Sequence, residues 1–364
     1  MVRVLHVITS TDRGGLETML MNYYRHIDHS ELQFDFLQHR SYKGDYDEEM
    51  RSLGANIYEL PRMNPFSKSY LKQLDSFFAA HPEYKIVHVH QDCMSSVILR
   101  SAYKNGVPIR IAHSHNNNQD KNLKYPIKLY FRGKINKYAT HLFACSDEAG
   151  KWMFRTDKFE ILKNAIDAEQ YIYSKDVAME KRGELGIDKE SLVVGLTARF
   201  AQQKNHEFLI DIFRSLKNKH PNAKLLLIGD GPLRERIHSK VRSMGLDADV
   251  VFTGVRNDVN SLVQAMDVFV MPSIYEGLGI AAIEAQTSGL SCIVSDRVSK
   301  QCAVTDNIRF LSLNESVDTW SDTVLEMAKL RRTNQYARIC ESGFDIRKNA
   351  KKLQDFYLGI LARD

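Results

Sequence analysis

This chain reads as α/β, with two doubly wound domains facing each other across a cleft. Short Val/Ile/Leu-rich runs alternate with amphipathic stretches, the pattern of parallel strands joined by crossover helices. The pattern runs once, stops and restarts, and 364 residues are enough for two cores of ordinary size. In the first half, strands are expected at residues 2–9, 34–39, 56–60, 86–90, 110–115 and 141–145. Helices are expected between them at 16–27, 71–80 and 126–138. The second half offers strands at 192–197, 224–228, 250–253, 268–271, 291–295 and 308–311. A polar stretch near 165–190, IDAEQYIYSKDVAMEKRGELGIDKE, has no buried-strand run and reads as the connector. Domain limits follow at 1–170 and 171–345. Residues 346–364 form a last segment whose amphipathic helix, near 350–361, can pack on either domain, the first included.

Composition narrows the function classes. No apolar run approaches the roughly 20 residues that a membrane-spanning helix needs. The N-terminus runs straight into a strand, VRVLHVIT, without a basic-then-apolar leader, so a cytoplasmic protein is expected. Cys93, Cys145, Cys292, Cys302 and Cys340 are scattered without metal spacing and read as reduced core thiols. The net charge of +5 is mild, and no aromatic-interleaved basic motif argues for nucleic acid.

In such folds ligands sit at the carboxyl ends of the strands, so the loops after strands carry the chemistry. The most informative is SIYEGLGIAAIEAQTSG. Glu276 and Glu284 stand eight residues apart across the start of a helix, a reach of roughly 12 Å if fully helical. Between them Gly277, Leu278 and Gly279 expose backbone N–H groups where the helix dipole favours phosphate. Glu276 can reach the hydroxyls of a hexose, and Glu284 can accept from a ribose diol. The plain alternative is two solvated glutamates on an ordinary strand–loop–helix.

Four further loops bear on that choice. TDRGGLE places Gly14 and Gly15 in the first strand-to-helix turn, where backbone can approach a diphosphate or sugar. It does not fit the Gly-x-Gly-x-x-Gly fingerprint. LTARFAQQKN brings Arg199 and Lys204 out of a strand toward a helix start, either as cations for a leaving diphosphate or as surface charge. RIAHSHNNN puts His113 and His115 on one face of a strand, since alternate residues point the same way. Two histidines can bind metal, but no third ligand is evident nearby, and His115 is favoured as a polar group at a reacting sugar. EILKNAID sets Asn164 after a short apolar run, as a ligand contact or a turn cap.

Together these segments resemble the family-4 retaining glycosyltransferases of the GT-B fold, particularly those of bacterial exopolysaccharide and capsular polysaccharide assembly. The resemblance runs through HVITSTDRGGLETML, ILKNAID, TARFAQQKNHEFLI, LLLIGDGPLRERI, VVFTGVRNDV and MPSIYEGLGIAAIEAQTSGLSCIVSD, in that order. It implies two Rossmann-like domains, 1–170 for the acceptor and 171–345 for the nucleotide-sugar. It also implies that Glu276 holds donor-sugar hydroxyls, that Glu284 holds the ribose, and that Arg199 and Lys204 contact the diphosphate. Gly15 and the N–H groups of Leu278 and Gly279 would lie at the phosphates, and His115 beside the anomeric centre. Three positions depart from the family pattern: Ala165, Ala198 and Ser291 stand where glycine, glycine and proline are usual. They touch loop stiffness more than charge.

The implied activity is retaining hexosyl transfer from a nucleotide-diphosphate sugar, with UDP favoured by family usage, to a growing, lipid-linked glycan in surface polysaccharide synthesis. No Asp-x-Asp stands at a strand end, so no metal and no cofactor are expected. A catalytically silent nucleotide-sugar-binding subunit and another two-domain sugar enzyme, such as an epimerase, are the rival readings. Acceptor choice is expected to lie in polar loops at 41–47 and 116–122, roomy enough to order on binding. From Lys121 to Lys137 there are six basic residues and no acidic one, beside a stripe of Ile127, Phe131, Ile135 and Tyr138. Lys124, Lys128 and Arg132 make a separate basic row, a pattern that suits an anionic membrane at the inner face or an ordinary packed helix.

Overall fold

In the computed structural model, which describes residues 1–116 and 123–362, the chain divides into two units, Met1–Ile166 with Gly343–Asp364 and Asp167–Ser342. The first holds a parallel sheet of β1 (Val2–Ile8), β2 (Leu32–Gln38), β3 (Ile57–Glu59), β4 (Ile86–Val89), β5 (Ile109–Ser114), β6 (His141–Ala144) and β7 (Glu160–Ile161), in the order 3-2-1-4-5-6-7. Six of these were expected from apolar runs. The two-residue β7 was not, because both its residues are exposed and leave no apolar signal.

Strand alternation divides this sheet's two faces. Val4, Phe34, Phe36, Ile86, Ile109, Ile111 and Phe143 face one core, together with Tyr23 and Tyr24 of the helix Gly15–His26. Leu5, Val7, Leu37, Val87, Val89, Ala112 and Ala144 face the other. The last helix, Ile346–Leu361, packs on the first face through Ile346, Ala350, Leu353 and Tyr357. Backbone pairing ties it there: Ile166 N–H donates to Phe344 O at 3.0 Å and Ile346 N–H to Ile166 O at 3.1 Å. Asp345 caps its N-terminus by accepting from the Arg347 N–H.

The second unit holds β8 (Leu192–Thr197), β9 (Ala223–Ile228), β10 (Val250–Gly254), β11 (Val268–Met271), β12 (Ser291–Ser295) and β13 (Ile308–Leu311), all parallel, in the order 10-9-8-11-12-13. Both sheets therefore reverse strand order beside their first strand, between β1 and β4 and between β8 and β11. Ligands of open α/β sheets bind at such switch points.

Two sequence expectations need correction. The stretch at 165–190 is not a free connector. It forms a short 3-10 turn, Ala168–Tyr171, and the helix Lys175–Glu184, capped by Ser174 and fastened within the second unit. Its Arg182 donates to Ala265 O at 2.9 Å and to Asp267 at 2.8 Å. So few of its residues are apolar that the helix leaves almost no periodic trace; it buries only Ala178 and Arg182. The expected helix at 126–138 is two helices, Tyr125–Arg132 and Ile135–Tyr138, separated at Gly133. Arg132 does not join a solvated basic row. It is buried over the Trp152 ring, 4.8 Å from the centroid, and donates to Trp152 O. Ile135 is in the core while Ile127 is exposed, so the expected stripe is apolar on paper but divided in the fold. Lys121 and most of the loop at 116–122 lie outside the described residues. No helix among the described residues is long and apolar enough to cross a membrane.

Candidate active site

In the second unit, pairing of β8 with β11 at Val194–Val268 and Gly195–Phe269 brings the loops that follow them together. Ile274 N–H donates to Gln203 O at 2.8 Å, and Gln203 Nε2 donates to Tyr275 O at 3.0 Å. These two bonds set Lys204 beside Glu276, and Lys204 Nζ donates to the Glu276 carboxylate in a partly buried ion pair. Ser273 Oγ donates to the same carboxylate at 3.1 Å. The Arg199 guanidinium is exposed on the same β8 loop and has no ion-pair partner among the described residues. Cation and anion therefore neutralise each other 72 residues apart in sequence, while a second cation stays open to an anionic ligand.

The helix Ile280–Thr287 starts directly after this pair. Its N-cap Gly279 has φ of 76°, a left-handed conformation that L side chains rarely adopt. A Cβ there would meet Val298 Cγ1 at 2.9 Å and Met271 Cε at 3.1 Å. Glycine is thus required at the point where the helix presents its first N–H groups. Glu284 lies on this helix, partly buried, and burial pushes its carboxyl up to about 7 against a hydrogen bond from Tyr171 that lowers it. Ser288 Oγ donates to Tyr171 O at 2.7 Å, so the turn once read as connector is the wall against which Glu284 packs. Tyr171 is a site residue that sequence reasoning missed. Nothing in a polar stretch marked it, because its neighbour on the helix is more than a hundred residues away.

In the first unit, the turn after β1 carries Gly14 and Gly15 at the start of the helix Gly15–His26. A Cβ on Gly15 would meet nothing within 4 Å, whereas one on Gly14 would lie 2.4 Å from Glu17 Oε2. Glu17 folds back over the glycine turn, and burial pushes it up to about 7, helped by nearby Asp12. The sequence signal was present, a Gly-Gly-x-Glu at a helix start, but Glu17 was not singled out. The loop at 41–47 is less open than expected. Tyr46 and Asp47 are buried, Tyr46 N–H donates to Thr11 O, and Thr11 Oγ1 donates to Asp47. Asn164 follows β7 on a loop fastened to the first helix by Tyr23 Oη to Lys163 O at 2.7 Å and Asn22 Nδ2 to Ala165 O at 3.1 Å. Its Oδ1 is buried without a partner among the described residues, so it caps no turn.

His115 directly follows β5, and its company was not foreseen. The register pairs His6 with His88 and His88 with Ile111. By parity, His6, His88, His90, His113 and His115 line one face across β1, β4 and β5. His90 Nδ1 lies 2.8 Å from His115 Nε2, and His90 Nε2 lies 3.0 Å from His6 Nδ1. The His113 ring stacks on His115 with centroids 4.0 Å apart. Burial holds His6 and His115 down to about 3 and drives His88, His90 and His113 well below the usual imidazole range. At neutral pH the row is uncharged, so His115 acts there as a neutral hydrogen-bonding group. The expectation that no third ligand is evident near His113 and His115 is corrected: the end of the adjacent strand β4 supplies His90, 23 residues upstream of His113 in sequence.

Residues 13–170 match the profile of Glycosyltransferase Family 4, and residues 178–346 match that of Glycosyl transferases group 1. The chain is 35% identical to the putative glycosyltransferase EpsF of Bacillus subtilis, over 98% of this chain and 96% of that protein. It is 25% identical to a UDP-Gal:alpha-D-GlcNAc-diphosphoundecaprenol alpha-1,3-galactosyltransferase of Escherichia coli, over 77% of this chain and 76% of that one. It is 23% identical to the capsular polysaccharide biosynthesis glycosyltransferase CapH of Staphylococcus aureus, over 98% and 99%. Among solved structures, a sucrose-phosphate synthase of Thermosynechococcus elongatus superposes with a TM-score of 0.78 at 16% identity, over the full length of both chains. HepE of Anabaena in complex with UDP-glucose gives 0.74 at 16% identity, over 98% of this chain and 95% of HepE.

Proposed function

Because this chain belongs to the family 4 and group 1 glycosyltransferases and shares the GT-B fold, we propose that it moves a hexose from a UDP-sugar to a lipid-linked glycan in surface polysaccharide synthesis, with retained anomeric configuration and without a metal. The observation that carries this reading is the Lys204–Glu276 pair beside the glycine-capped helix of Glu284. A sugar diphosphate suits that arrangement. Its phosphates take Lys204, Arg199 and the N–H groups of Leu278 and Gly279, while a sugar hydroxyl donates to the carboxylate that Lys204 leaves. Glu284 accepts from the ribose, and the donated hydrogen bond favours its ionised form.

The reaction then needs little covalent help from the protein. The C1–O bond to the diphosphate breaks as the acceptor oxygen bonds to C1 on the same face, and the hydroxyl proton passes to the departing phosphate. Positive charge develops at the sugar and negative charge on the leaving group, where preorganised cations and N–H dipoles act most strongly. Neutral His115 is assigned to the reacting sugar as a hydrogen-bonding partner, with Gly14, Gly15 and Asn164 assigned to the donor. The UDP preference draws support from HepE, solved with UDP-glucose, and from the Escherichia coli relative, whose name specifies UDP-Gal and a diphosphoundecaprenol acceptor. Release of nucleoside diphosphate, measured across UDP-, GDP- and dTDP-sugars in EDTA with a lipid-diphosphate sugar acceptor, tests the reading. We expect turnover with one UDP-sugar. Activity that vanishes in EDTA and returns with manganese refutes metal independence, and donor binding without turnover favours the silent subunit.

The lipid-linked acceptor calls for membrane contact near residues 123–138. Leu123, Ile127 and Tyr130 are exposed there, and Lys124 lies exposed among them. Flotation with phosphatidylglycerol liposomes is expected, and it should fail with phosphatidylcholine alone. Equal flotation with both lipids, or with neither, removes this part.

A further inference from the structure

We propose that His90, His113 and His115 form a binding site for one borderline divalent cation of the Zn(II) class, at the carboxyl ends of β4 and β5. One ring nitrogen from each lies within 4.8 Å of the other two. Neither nitrogen of His113 has a partner among the described residues, although the side chain is buried, and His115 Nδ1 is unpartnered as well. His113 lies within β5, and His90 and His115 directly follow the last residues of β4 and β5, so the paired strand ends bring the three rings together.

The donor chemistry selects the ion. Three imidazoles with no carboxylate among them suit zinc, copper or nickel, and disfavour magnesium, calcium and manganese, which seek oxygen. Zn–N bonds of about 2.0–2.1 Å require the three nitrogens to draw closer than 4.8 Å. No hydrogen bond at His113 has to be broken for this, although its buried ring, stacked on His115, must repack. The His90–His115 contact of 2.8 Å would be exchanged for bonds to the ion.

A second triad, His6, His88 and His90, also has one nitrogen of each ring within 4.8 Å of the others but is less apt. There His88 Nδ1 is held by the Tyr357 hydroxyl at 2.6 Å, and all three rings are fully enclosed. His115 is the one member of either triad that is partly exposed, so this triad lies nearer the surface than the other. Occupancy would take His115 from the reacting sugar. On the proposed function, filling the site therefore inhibits transfer; the binding itself does not depend on that reading.

The test uses the full-length protein stripped of metal. Titration with ZnCl2 by calorimetry is expected to show one tight equivalent, and Co(II) should develop the intense visible bands of a tetrahedral nitrogen site. His113→Asn should weaken both by about tenfold or more, with magnesium in excess failing to compete. His115→Asn, at the partly exposed strand end, serves the same purpose if His113→Asn does not fold. No tight equivalent in the wild type, or zinc affinity and cobalt spectrum unchanged in whichever of the two variants folds, overturns the site. Zinc binding that leaves transfer unaffected supports the site and refutes instead the assignment of His115 to the reacting sugar.

Discussion

The two units share the order of their first six strands and place different electrostatics at its switch point. Beside β8 and β11 stand a closed Lys204–Glu276 ion pair and an open Arg199. Beside β1 and β4 stands a row of neutral imidazoles, kept uncharged by burial. The same strand order thus carries charged side chains, suited on the proposed function to a diphosphate, in one unit and uncharged, hydrogen-bonding ones in the other. Sheet topology decides where ligands bind, whereas the side chains at the strand ends decide what charge they carry.

The largest expected effect lies on the charged side. Lys204→Ala or Glu276→Ala removes charge-assisted hydrogen bonds of about 1.5–3 kcal/mol, so kcat/KM should fall by roughly ten- to a hundredfold. Steady-state kinetics on both variants decides this, and wild-type turnover in both would erase the contrast between the units. Either substitution leaves the partner charge unpaired, so the double variant should lose less than the sum of the two single ones.

Next in size is a feature the units have in common. Glu17 and Glu284 each lie near the start of a helix after a strand, and burial raises each from the ordinary 4.5 to about 7. A carboxyl raised in this way binds its proton more tightly when folded. Each glutamate therefore lowers stability progressively as pH rises from about 4.5 to about 7, and the loss is complete above that. Glu284→Gln is expected to be more stable than wild type at pH 8 by on the order of 2 kcal/mol, with the difference gone near pH 4. Denaturant melts at the two pH values measure it. A gain independent of pH would mean that packing, not charge, is responsible.

The smallest effect probes the neutral side. Tyr357→Phe leaves His88 Nδ1 buried without its 2.6 Å partner, a cost of about 1 kcal/mol. Thermal unfolding should show it, with donor-nucleotide affinity unchanged. A change in that affinity would mean the histidine row couples to the charged site.

Some of this was legible in one dimension. Apolar runs at 192–197 and 268–271 coincide with β8 and β11 because a parallel strand buried on both faces is predominantly apolar. Glu276, Gly279 and Glu284 could be singled out because a glycine turn at a helix start is a local pattern. Tyr171 could not, since the helix that carries Glu284 is more than a hundred residues from it and its own segment is polar. The pairing of Lys204 with Glu276 spans 72 residues and depends on β8 lying next to β11.

What the chain determined by itself is local: the positions of most strands and of the strongly amphipathic helices, the caps at Ser67, Ser146, Ser174 and Ser316, and which loops carry charge. Those follow from hydrophobic periodicity and backbone propensity, which act over a few residues. Which distant loops share a site, and that five histidines in and just past three strands line up in one row, four of them buried, were settled by strand order and register. Contact across a sheet joins residues with no sequence proximity, and burial then sets their charge.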